Sequence, residues 1–171
     1  MRFLGKSSEP EVREIVRGAY QRFDVRSSVL LELARRPEPS DRVRFVDGLE
    51  SSSLEVLSAC LDALAGLPPG RDAAEQLALL QTVRRLGFDS REHALRSRAV
   101  VLLRKNTGRR LGFETGADGR KAQREAIDRW TGLLETTYPE EARRRLGAAA
   151  VDLPSLRKRL AVVDWKSGDA V

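Results

Sequence analysis

Apolar residues recur every three or four positions along most of this chain. That is the spacing that lines one face of an α-helix, and strict alternation of the strand type is hard to find. Val12, Ile15, Val16, Ala19, Tyr20 and Phe23 keep that spacing. Before them, Ser8 with Glu11 has the form of a capping box, with Pro10 in the first turn. A second helix is predicted from about Asp24 to Arg35, with Val25, Val29, Leu30, Leu33 and Ala34 inward, and "RPEPS" ends it. Ser40 caps a third, carrying Val43, Phe45, Val46 and Leu49, and Ser52 with Glu55 caps a fourth, "SLEVLSACLDALAGL", which "PPG" closes. Asp72 with Glu75 caps a fifth that closes at Gly87. A sixth runs from Ser90 to near Gly108, and a seventh from about Lys121 to Glu135 with Ile127, Trp130, Leu133 and Leu134 on one side. Thr137, Pro139 and Glu140 start a short basic eighth. "GAAAVDLP" reads as a linker, followed by a last helix over Ser155 to Val163.

Three of these segments align with one another. "VRSSVLLELA" from Val25, "VLSACLDALA" from Val56 and "LRSRAVVLLR" from Leu95 share apolar residues at positions one, five, six and nine. Each follows a partner helix across a short turn. Helix pairs repeated at an uneven period suit an α-solenoid, because one pair cannot bury both of its faces and must stack on the next. The expected fold is therefore all-α: a HEAT-like α-solenoid of stacked helix pairs at about 10–36, 41–66 and 72–106. The Trp-bearing helix at about 121–135 completes a repeat domain of residues 1–147, and residues 148–171 form a linker and a short C-terminal helix. An irregular helical bundle is the alternative.

Charge adds a candidate surface. The 171 residues carry a formal charge of +6, and Arg91 to Glu125 hold ten Lys or Arg against four Asp or Glu, so the rest of the chain sums to zero. On the sixth helix Arg91, Arg98 and Lys105 stand seven apart in one row, and Arg109 and Arg110 extend it. Such a row can hold an anionic partner, nucleic acid included. No aromatic residues interleave with it as a base-stacking platform would require, and ion pairs with neighbouring helices are the other use.

The glycines from Gly108 to Gly119 invite a phosphate-loop reading, but "GRRLGFETG" follows a helix and lacks the Lys-Ser/Thr pair of a P-loop. A helix C-cap at Gly108 followed by a connection is the simpler reading, with an anion nest of backbone N–H groups as the alternative. Cys60 and His93 are each the sole residue of their type, which excludes an internal disulfide framework and a Cys-rich zinc site. Cys60 is expected to be an inert core thiol and Trp130 a core anchor. No catalytic constellation and no metal-ligand spacing is found. No run is apolar enough to span a membrane, and "MRFLGKSSEP" is too polar and short for a secretory signal.

"DRVRFVDGLESSSLEVLSACLDALAGLPP", then "LLRKNTGRRLGFETG" and "REAIDRW", resembles the HEAT-like repeat region of large bacterial proteins that also carry a c-type cytochrome domain, of the membrane-bound dehydrogenase or haem-binding type. The matching positions are Thr107, Gly108, Gly112, Ala126, Ile127, Arg129 and Trp130. The family's aromatic-Asp-Pro is replaced here by Phe113, Glu114 and Thr115. "LAVVDWKSGDA", residues 160 to 170, looks like the lead into the cytochrome domain. The resemblance implies a scaffold beside an electron-transfer domain, with the protein partner or adjacent cytochrome domain as its contact. It implies no cofactor in this chain, covalent haem c lying only in a downstream domain with its C-x-x-C-H motif. It also implies export if the chain belongs to such a parent; the absence of a membrane span and of a signal segment points instead to a cytoplasmic location if the chain is complete. The function expected is thus a non-catalytic scaffold or protein-interaction module; the alternative is a nucleic-acid-binding helical-repeat protein that uses Arg91 to Arg110.

Overall fold

A computed structural model describes residues 10–22, 25–87, 90–113 and 119–149, and the side chains of all but 147–149. Among these residues all regular structure is helical: α1 (Pro10–Ala19), α2 (Arg26–Ala34), a 3-10 turn (Pro39–Asp41), α3 (Arg42–Gly48), α4 (Leu54–Gly66), α5 (Ala73–Arg85), α6 (Ser90–Thr107), α7 (Arg120–Thr137) and α8 (Pro139–Ala149). No described helix is long and apolar enough to cross a membrane. Ser8, Phe23, Asp24 and the segment from Ala150 onward, with the expected helix over Ser155 to Val163, lie outside the described residues.

Several boundaries differ from the sequence reading. Ser53, not Ser52, caps α4, its side chain accepting from Val56 N–H. Ser40 falls inside the 3-10 turn and caps nothing by side chain, because Pro39 starts that turn one residue ahead of it. Asp72 does cap α5, accepting from Ala74 N–H. Glu75, its expected capping-box partner, instead turns into the interior. α8 continues through Ala149, so the boundary placed between 147 and 148 falls within a helix.

The twelve aligned apolar positions all lie in or against the core. Val29, Leu30 and Leu33 on α2, Val56, Cys60, Leu61 and Leu64 on α4, and Leu95, Ala99, Val100 and Leu103 on α6 are all buried, and Val25 packs partly buried against them. The same three helices are neighbours in chain order, α2 on α4 and α4 on α6. Within the pairs α1 packs on α2, α3 on α4 and α5 on α6, and α3 also meets α5. After α6 the order changes, because α7 and α8 both pack on α5. That leaves α5 enclosed, with Leu77, Leu79, Leu80 and Val83 at zero exposure. Ile15 and Val43 belong to the apolar spacing of α1 and α3, yet they are 68% and 69% exposed.

Candidate functional site

α6 carries the basic row, and its central members reach sideways to α4. Arg98 donates from Nη1 to Ser58 Oγ at 2.9 Å and lies 3.1 Å from Asp62 Oδ1. Lys105 donates from Nζ to the carbonyls of Ala65 and Leu67, both at 2.7 Å. These carbonyls end α4, where acceptors lack intrahelical partners and the helix dipole favours a cation. Arg91, Arg109 and Arg110 are exposed. The sequence-marked row is therefore not a continuous free stripe: its middle is engaged with its neighbour helix.

Capping of this kind recurs. Arg26 Nε donates to Tyr20 O at the end of α1, at 3.4 Å, and Arg13 Nη2 to Arg36 O just past α2, at 2.7 Å. Arg85 donates to Leu49 O at 2.7 Å and Glu50 O at 2.9 Å after α3. Buried Arg96 donates to Leu86 O at the end of α5. Burial, partly offset by Glu92, pushes the pKa of Arg96 below the ordinary arginine value. Arg26 and Arg96 hold the same position, the second, in the aligned segments, and each serves the end of the helix before it. The sequence offers this one signal of the pattern; the other donors are indistinguishable from surface arginines until the helices meet.

The glycine stretch is organised by arginines rather than by its own N–H groups. Gly108 takes φ 67° and its N–H bonds Arg104 O at 2.9 Å, which is the expected C-cap. Arg104 Nη2 then donates to Gly112 O at 2.6 Å and Phe113 O at 2.8 Å, while Arg129 Nε donates to Leu111 O at 3.0 Å. Gly112 has φ 85°, and a Cβ there would lie 2.6 Å from Arg129 Nη2 and 3.3 Å from Ala126 Cβ. Phe113 has φ 65° and is fully buried, as are Ala126 and Trp130. Gly112, Ala126 and Arg129, three positions of the motif that carries the resemblance, thus meet where the loop docks on α7. Three consecutive carbonyls of the loop are held by guanidinium groups, an arrangement that fixes the backbone at Leu111, Gly112 and Phe113. Glu114 and Thr115 lie outside the described residues.

Two buried carboxylates had no sequence signal. Asp41 is fully buried and takes Arg17 Nε at 2.6 Å, Arg13 Nη2, and Arg44 Nη1 at 3.5 Å. Burial pushes its carboxyl up, but the hydrogen bonds from Arg17 and Arg13 more than offset this and hold it below the usual range. Glu75, 1% exposed, takes Arg42 Nη1 at 2.7 Å and Asn106 Nδ2 at 2.7 Å. Asn106 Oδ1 accepts Gly70 N–H at 2.9 Å, and Gln76 Nε2 donates to Gly70 O at 2.8 Å. A Cβ on Gly70 would meet the Glu75 carboxylate, so a larger residue there would have to push that carboxylate away from Arg42 and Asn106.

Cys60 and His93, the remaining chemical candidates, lie on α4 and α6. Cys60 is fully buried, and burial pushes its thiol up to about 12, far from an activated thiolate. His93 is half-buried on α6, and among the described residues no group of three or more His, Cys, Asp or Glu could hold a metal. Compared with known families, curated proteins and solved structures, the chain gives no match.

Proposed function

We propose that this chain is a non-catalytic helical-repeat scaffold, a HEAT-like stack of helix pairs that presents its α2–α4–α6 side to a protein partner. The observation that carries the reading is the shared apolar register of three helices packed in chain order, repeated to the level of Arg26 and Arg96 on the preceding helix ends. Such stacking makes an extended surface and no reaction centre. Within this reading the chain belongs beside a c-type cytochrome domain, as its resemblance implies. Support comes from Gly112, Ala126 and Arg129 of the resembling motif meeting at one loop–helix contact. An in-frame C-x-x-C-H downstream in the gene is the expected mark of that parent; a chain with no such motif beyond it removes the cytochrome part and leaves the scaffold.

The nucleic-acid reading is the competitor, and one titration separates them. Duplex binding is measured against salt for the wild type and for R98A/K105A/R109A. A scaffold gives only nonspecific affinity, about 10⁻⁴ M at physiological salt. Submicromolar binding, lost in the triple variant together with about two to three units of salt slope, would overturn the scaffold in favour of a nucleic-acid binder.

A further inference from the structure

We infer that the Arg109–Arg110 turn is a preorganised docking point for an acidic protein segment, an inference that rests on the scaffold reading and names the chemistry of its partner. The turn sits between Gly108, which ends α6, and the three carbonyls of Leu111, Gly112 and Phe113 that Arg104 and Arg129 hold. Phe113 is anchored in the core at a positive φ that an aromatic L-residue rarely adopts, so the chain is pinned on the side where the turn rejoins the body. On this fixed backbone the Arg109 and Arg110 side chains are exposed, and neither guanidinium makes a hydrogen bond or ion pair among the described residues. That sets them apart from Arg13, Arg17, Arg26, Arg42, Arg85, Arg98 and Lys105, each of which is engaged by a carboxylate or a helix-end carbonyl.

A guanidinium presents its N–H groups as a fork that matches a carboxylate at two points, and a backbone already fixed loses little freedom on binding. Two adjacent forks fit a short run of Asp or Glu. They fit a duplex less well. Arg98 and Lys105, which would continue the contact along successive phosphates, are turned to α4, and the nearby rings Phe113 and Trp130 are fully buried, leaving no platform for base stacking.

The test uses the full chain at low salt with three probes: a short poly-L-glutamate, a short duplex DNA and inorganic phosphate. R109A/R110A should weaken poly-L-glutamate binding about fivefold without changing thermal stability, while Arg84→Ala, an exposed arginine on α5, should leave it unchanged. Gly112→Ala keeps both guanidinium groups but forces the loop off Arg129, and should weaken binding too. Wild-type affinity in R109A/R110A or in Gly112→Ala, or no poly-L-glutamate binding at all, overturns the proposal while leaving the scaffold standing. Duplex DNA or phosphate bound more tightly than poly-L-glutamate through Arg109 and Arg110 also overturns it; only submicromolar duplex binding at physiological salt would overturn the scaffold as well.

Discussion

At the scale of single residues, the interior is held by a few polar groups that burial makes consequential. Glu75 compensates Arg42 and orders the Gly70 loop through Asn106. Glu75→Ala removes the carboxylate and leaves Arg42 and Asn106 without that acceptor, so urea unfolding should show a loss of about 3 kcal/mol; a loss below about 0.5 kcal/mol, the size of an ordinary surface change, would contradict the role. Asp41 makes stability depend on acid. Its folded carboxyl lies below the unfolded value, about 3.9, so its contribution is fully present above that pH and is lost as pH falls through the folded value. The stability gap between the wild type and Asp41→Asn should therefore be widest at neutral pH and close in acid. A gap that stays constant from pH 7 downward would show that the charge on Asp41 is not what α1 leans on. Neither role was legible in the sequence. An Asp in "PSDR" or a Glu three residues after a cap has the pattern of a surface or capping carboxylate. Only the approach of Arg13 and Arg17 from α1, or of Arg42 and Asn106 from α3 and α6, makes either one an interior group.

At the scale of elements, the sequence was informative wherever one helix face is covered along its whole length. The register of α2, α4 and α6 is such a case, and so is Trp130, fully buried with Ala126 and Leu134 on α7. Trp130→Ala should cost about 3–5 kcal/mol and reduce the fluorescence signal of the native state. A variant that unfolds at the wild-type urea concentration would place the ring outside the core. The sequence was least informative at element ends. Ile15 and Val43 keep helical spacing on helices that lack a neighbour on that side, and Ser53 takes the cap expected of Ser52, one residue away. The glycine stretch was half legible: Gly108 as a cap follows from its place after an apolar helix, but the hold of Arg104 and Arg129 on the carbonyls depends on α7 folding back.

At the scale of the whole molecule, a chain of formal charge +6 uses many of its cations at home. Arg13, Arg26, Arg85, Arg96 and Lys105 each reach from one helix to carbonyls at or just past the end of another. Helix C-termini are electronegative, and a chain of short helices has many of them for its length. The Arg-rich composition is thus met in part by the architecture itself, with Arg109 and Arg110 left facing outward.

The most direct check of this account is the unfolding free energy of Lys105→Met, which keeps the apolar stem and removes only the ammonium that closes α4. The variant should lose about 1 kcal/mol of stability, more at low salt than at high salt. An unchanged stability at every salt concentration would mean that the ammonium is not engaged with α4 and that the basic row is held ready for an anionic partner.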